Sequence, residues 1–220
     1  DTILAQMAAE VLEYDIDRIV TVGADTDISP YDSGSYASST TYLTGKATEE
    51  AATELRRRIV EAGAKTLGVE ADQVEFDGDF VRCLEDGRKI SLVDLATASM
   101  CNNNTAFQVT ATKSSPVSPP PYMVGAVEIE LDKETGHVEI LDYAAVVDCG
   151  TVVNPNLARV QTEGGIVQGI GMTLSENITY SKKGKLWEKF VWNLKAAMNQ
   201  QDHLGQNPSE KLSSIHLLEH

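Results

Sequence analysis

Apolar residues at Ile3, Leu4, Met7, Ala8, Val11 and Leu12 recur at three- and four-residue steps, which predicts a helix over residues 1–13. Residues 18–22 read as a short strand. A polar stretch, residues 23–41, is rich in Asp, Ser, Thr and Tyr, and is too long for an ordinary connection. Residues 48–67 regain a helical stripe through Leu55, Ile59 and Ala62, and Gly68 supplies the stop. Residues 74–81 predict a hairpin turning at Asp77 and Gly78. Ser91 with Asp94 resembles a capping box for a helix running to about Met100. Four prolines in residues 114–121 mark a connection. Beyond them, residues 123–131 alternate as a strand, turn at 132–136, and return as a largely buried strand over 138–147. Asn154 and Pro155 then open a helix over about residues 156–176, since proline is tolerated in a first turn.

The expected fold class is α+β, as two mixed α/β layers or subdomains either side of the proline-rich link. Residues 1–113 hold the Ser/Thr loop, residues 122–186 hold a Gly-rich helix, and residues 187–220 form a tail. No internal repeat is present. Asp1 opens inside a helical pattern with no capping turn before it, and Leu218-Glu219-His220 reads as a cloning-scar remnant.

Composition removes several functions. An apolar fraction of 42% supports a globular chain. A formal charge of −15 disfavours nucleic acid, whose phosphates need clustered Lys and Arg. The one basic cluster, Arg56-Arg57-Arg58, follows Glu49, Glu50 and Glu54 and is expected to pair with them on a solvated helix face. Apolar runs stay far below the ~20 residues of a membrane span, and no basic-then-apolar leader opens the chain. Cys83, Cys101 and Cys149 fit neither a disulfide framework nor a C-x-x-C site, so a reducing cytoplasm is the simplest compartment.

Two segments concentrate chemistry. Residues 31–41, Tyr-Asp-Ser-Gly-Ser-Tyr-Ala-Ser-Ser-Thr-Thr, place hydroxyls and small side chains ahead of a helix. Accessible backbone N–H groups and hydroxyl donors suit a phosphate or pterin edge, although a polar surface loop turning at Ser33 and Gly34 fits the composition equally. The second segment runs from Asp148-Cys149-Gly150 through Asn154-Pro155 to Gly164-Gly165-Ile166-Val167-Gln168-Gly169-Ile170-Gly171. Four glycines in a helix cost about 1 kcal/mol each against alanine. Close approach to a ligand, or tight helix–strand packing, would offset that cost. Gly169-Ile170-Gly171 does not extend to G-x-G-x-x-G, which disfavours a dinucleotide fold. Asp25, Asp27 and Ser29 begin like a calcium loop, but Pro30 and Tyr36 occupy positions that need Gly and Glu. The four histidines are dispersed, and no G-x-S-x-G elbow exists.

Residues 2–10, the 31–45 stretch, and the 147–172 block together resemble the molybdenum-binding subunit of the xanthine dehydrogenase / aldehyde oxidase family, over about residues 1–187. The resemblance implies a molybdenum ion on a pterin dithiolene, in bacteria often as the cytosine dinucleotide. It implies hydroxylation of an N-heterocycle or aldehyde with oxygen from water, and electron transfer through two [2Fe–2S] clusters to FAD on partner domains or subunits. A homodimeric assembly acting on a small molecule follows from it. By position, Ala37, Ser38, Ser39 and Thr40 would line the pterin and its phosphates, and Gln168 would hydrogen-bond the cofactor near the metal.

The family's glycine-rich loop would precede Asp1, and its general-base glutamate lies in a segment that the sequence after Leu186 does not resemble. No metal ligand or catalytic residue is therefore expected in this chain, which is expected to be inactive alone. A truncated gene, a frameshift or a separately expressed domain would each produce that departure. A non-catalytic relic or assembly module of the same fold is the alternative, and a nucleotide-binding or scaffold protein reusing the fold is a third.

Overall fold

The computed structural model describes residues 1–176 other than Ser33, Asn104 and Ser118, residues 180–185, and the backbone of Ser214–Leu218. The chain divides into two compact units, Asp1–Ser118 and Pro119–His220. Among the described residues it is an α+β fold of four helices and two three-stranded sheets.

The first unit is built on α2 (Thr40–Leu67), which ends at Gly68 in the left-handed conformation (φ 73°) that glycine adopts without strain. α1 (Thr2–Leu12) lies along it, and Gly45 permits the approach, because a Cβ there would sit 2.7 Å from Met7 Sδ. The sheet is antiparallel, in the order β1 (Val74–Phe76), β2 (Phe80–Cys83), β3 (Lys89–Ser91). Asp77 fixes the turn between β1 and β2 by accepting N–H bonds from Asp79 and Phe80 at 3.2 and 2.7 Å. α3 (Leu92–Asn103) follows β3 directly, and Ser91 Oγ accepts the Asp94 N–H at 3.0 Å. These elements enclose Ile59, Ala64, Val74, Phe76, Val81 and Leu95, each 8% exposed or less. Val81 is fully buried because Gly63 carries no side chain, and a Cβ there would lie 2.5 Å from Val81 Cγ1. Arg56 ties the layers together by donating to the carbonyls of Val11 and Phe76 and pairing with Glu13 at 2.8 Å.

The second unit pairs β4 (Tyr122–Leu131) antiparallel with β5 (Val138–Asp148), with a register irregularity between Glu128 and Ile129. β6 (Ser214–Leu218) lies parallel to β5, from Ala144 opposite Ser214 to Asp148 opposite Leu218. α4 (Pro155–Leu174) packs Ile166 and Ile170 onto Ala145 and Tyr143. Asn154 Oδ1 caps this helix by accepting the Leu157 N–H at 3.0 Å.

Several expectations are corrected. Residues 18–22 form no strand: Ile16–Arg18 is a 3-10 turn, and residues 19–22 find no sheet partner among the described residues. α2 begins at Thr40, eight residues before the predicted 48, because a helix nucleated over 48–67 propagates back through Gly45 against α1. The 74–81 hairpin extends to Cys83 and gains β3. The return strand is only partly buried, alternating between sheltered and exposed positions. Of the three acids expected beside the arginine cluster, Glu54 binds both Arg57 and Arg58, whereas Glu49 pairs with Lys46 and Glu50 with Lys113. The expectations for residues 187–213, 219 and 220 lie outside the described residues.

Candidate functional site

In the first unit the hydroxyl-rich loop reaches α2 through a 3-10 turn, Tyr36–Ser38. Asp32 organises its entry: Oδ1 accepts the Gly34 N–H at 2.6 Å, and Oδ2 accepts the Thr44 hydroxyl at 3.4 Å. The backbone then does something its residues do not favour. Ala37 (φ 53°, ψ 24°) and Ser38 (φ 56°) sit side by side in the left-handed region. For L-residues other than glycine this costs about 1–2 kcal/mol each. Ala37, Ser38 and Thr40 are exposed and Ser39 is half-buried, so no core contact compensates the strain. Ser39 stands at the N-cap of the 28-residue α2 without capping it through its side chain, and no acid occupies the first turn. The first-turn N–H groups of a helix have no partner within it, and they carry the positive end of its dipole. The loop therefore delivers hydroxyls and backbone donors to one exposed place, which suits an anionic ligand.

In the second unit the glycine-rich helix is anchored on one side and bare on the other. Ile166 and Ile170, one turn apart, face the sheet. Gln168, about 160–200° around the helix from that pair, is exposed. Its neighbours at three- and four-residue spacing are Gly164, Gly165, Gly171 and Met172, and Met172 is 68% exposed. A Cβ built on Gly164, Gly165 or Gly169 would meet nothing within 4 Å among the described residues. A Cβ on Gly171 would meet the flexible end of Glu176. Helix–strand packing within the unit thus accounts for none of these glycines. What remains is a strip of accessible helix backbone with one carboxamide at its centre, offering both a donor and an acceptor.

The fit to a pterin cofactor can be judged on these features. A flat heterocycle needs a surface without side chains, its phosphates need backbone and hydroxyl donors, and its metal end needs an amide rather than a charge. Each is present in one or the other unit. Ala37, Ser38, Ser39 and Thr40 lie together in the first unit and Gln168 lies in the second. Sequence reasoning missed Asp32, whose role shows only in its hydrogen bonds.

Other candidates recede. No group of three or more His, Cys, Asp or Glu is placed to hold a metal ion among the described residues. In the calcium-like stretch, Asp25 Oδ1 accepts the Asp27 N–H at 3.0 Å as a local turn. Cys101 and Cys149 are exposed free thiols and Cys83 is buried. No described helix is long and apolar enough to cross a membrane.

The chain is 33% identical over 187 residues to "Probable hypoxanthine oxidase XdhD" of Escherichia coli K12, covering 84% of this chain and 19% of that protein. It is 31% identical over 191 residues to the 6-hydroxypseudooxynicotine dehydrogenase complex subunit gamma of Paenarthrobacter nicotinovorans, covering 84% of this chain and 24% of that protein. It thus spans about a fifth to a quarter of the length of these curated relatives. The solved CO dehydrogenase from Oligotropha carboxidovorans superposes on the whole chain with a TM-score of 0.77 at 22% identity, over 27% of its own length, and shares the fold. The family model for the molybdopterin cofactor-binding domain matches residues 1–199, and the chain belongs to that family.

Proposed function

We propose that this chain is the part of a xanthine dehydrogenase-like molybdenum hydroxylase that cradles the pterin cofactor, and that it does not turn over substrate alone. The observation that carries the reading is the bare face of α4, where the glycines meet nothing and Gln168 stands exposed, in a domain of the molybdopterin-binding family. When bound, the cofactor supplies two-electron redox chemistry at molybdenum. Gln168 holds it through its carboxamide near the metal. Ala37, Ser38, Ser39 and Thr40 hold the pterin and its phosphates, or those of a cytosine dinucleotide form, through backbone N–H groups and hydroxyls. The side chains do not move a proton: none of these five positions is a base, so the chain's part is to bind and orient.

The parent reaction on this reading is oxidative hydroxylation of an N-heterocycle or aldehyde with water. [2Fe–2S] and FAD partners accept the electrons, in a homodimeric assembly within a reducing cytoplasm. The names of the relatives support it: one is called an oxidase of hypoxanthine, and another is the gamma subunit of a dehydrogenase complex. The alternative, a non-catalytic assembly module, is separated from it by metal content.

The test is molybdenum and pterin per chain in the assembled enzyme carrying Gln168→Ala. Loss of the amide leaves a buried cofactor group unsatisfied, which costs about 1–3 kcal/mol and lowers occupancy roughly tenfold. Full occupancy in the variant would refute the Gln168 assignment, and a wild-type assembly free of pterin would refute the cofactor reading as a whole.

A further inference from the structure

The most strand-like sequence in the first unit is the one the structure leaves unpaired. Residues 19–22, Ile-Val-Thr-Val, are all β-branched, the composition that favours extended backbone. Ile19 is extended (φ −95°, ψ 122°), and its N–H closes the preceding 3-10 turn onto the Ile16 carbonyl. After it, residues 20–23 make no backbone hydrogen bond among the described residues. Val20 is 85% and Val22 67% exposed, while the core of the same unit excludes solvent. Four β-branched residues with open backbone and exposed side chains are an edge without a neighbour.

Charge selects the neighbour. Asp15 and Asp17 stand before the segment and Asp25 and Asp27 after it, all exposed. The one cation beside it, Arg18, is committed to Asp79 at 2.6 Å and to the Tyr14 ring at 4.4 Å. A second copy of this chain, paired in either direction, would set these acids against their own kind, and like charges opposed across strands repel. A strand with Lys or Arg at its ends would meet them favourably.

We propose that residues 19–22 are an open docking strand that pairs, edge to edge, with an extended apolar strand flanked by basic residues. The relatives carry three quarters or more of their length outside the matched region, and a strand from that remaining length is the natural occupant. The segment touches none of the proposed cofactor contacts, so this inference stands or falls apart from the molybdenum reading.

The probe is a seven-residue peptide of alternating valine and threonine with a lysine at each end, added to the full chain and read by amide hydrogen exchange. Its counterpart carries glutamate at both ends. The expected result is roughly tenfold slower exchange at the amides of Val20–Gly23 with the lysine peptide, at least fivefold weaker with the glutamate peptide, and weaker again in high salt. Alternate residues present opposite edges, so one of Val20→Pro and Thr21→Pro should abolish the protection. Both variants should leave the midpoint of the unliganded chain within about 1 °C, because no internal hydrogen bond is lost. A destabilised proline variant would show that the segment is already paired and would overturn the proposal. So would protection confined to β4, protection that survives both prolines, or a chain that dimerises through these residues.

Discussion

The two units bury their apolar residues to different degrees. The first closes a core of six residues at 8% exposure or less, drawn from α2, β1, β2 and α3. The second packs Ala145 and Ile166 with flanking Tyr143 and Ile170, and leaves β4 exposed along all ten residues, with Val124 at 76%. The alternation that predicts β4 is as regular as any in the chain, so the difference does not lie in secondary-structure propensity. It lies in what covers each surface: the first unit supplies its own cover, whereas the second presents β4 and the outer face of α4 uncovered among the described residues. An apolar strand and a bare glycine face left open in this way mark surfaces made to be covered.

Core truncation should break the comparison most visibly. Phe76→Ala in the first unit is expected to cost about 3–5 kcal/mol and to lower the thermal midpoint by roughly 10 °C or more. Ile129→Thr on β4 should change stability by less than about 0.5 kcal/mol, since its side chain is 51% exposed. Equal losses measured by denaturant unfolding would show that β4 is covered after all.

Glycines give the next contrast, with opposite signs. Gly63→Ala should destabilise by about 1–3 kcal/mol, because the new methyl group meets fully buried Val81. Gly164→Ala meets open space and should stabilise the isolated chain by up to about 1 kcal/mol, the helix preference of alanine over glycine. A destabilised Gly164→Ala would mean that the helix face is already packed.

Much of this architecture was legible in the sequence, for local reasons. The helical stripe ending at Gly68, the Asp77-Gly78 turn and the Asn154-Pro155 helix start each depend on a few adjacent residues. The strand expected at 18–22 failed because pairing is a property of two segments, and the second is not among the described residues. β3, three residues long, is too short to show a period. At the candidate site, composition revealed where hydroxyls and glycines gather, but not the left-handed backbone of Ala37 and Ser38, since neither residue type favours positive φ. It also left open whether the α4 glycines face a strand or a void. The side-chain geometry of Ile166 and Ile170 answers that.

Smaller effects sharpen the first unit. Asp32→Ala frees the Gly34 N–H and the Thr44 hydroxyl. Amide exchange over residues 34–38 should quicken by up to roughly tenfold while the unfolding midpoint stays put. Unchanged exchange would show that the loop holds its strained turn without Asp32. The smallest effect concerns pH. The guanidinium groups of Arg57 and then Arg58 hold Glu54 down at about 2. A carboxylate with a depressed folded pKa adds stability that is present above its unfolded value near 4.5 and is lost as pH falls toward 2. Replacing Glu54 with Gln should therefore flatten the acid limb of the stability profile between about pH 4.5 and 2, by a margin that exposure and salt keep slight. An acid limb identical to that of the unaltered chain would remove Glu54 from the account.

The central claim is that the open face of α4 is kept bare for the cofactor, and Gly164→Ala tests it most directly. Two quantities are measured on the same variant: the thermal midpoint of the isolated chain, and molybdenum bound per chain in the assembled enzyme. The account predicts that they part company, with the midpoint unchanged or higher and molybdenum reduced roughly tenfold, because a methyl group stands where the pterin must approach the backbone. A variant as stable as expected that retains its full molybdenum would contradict it.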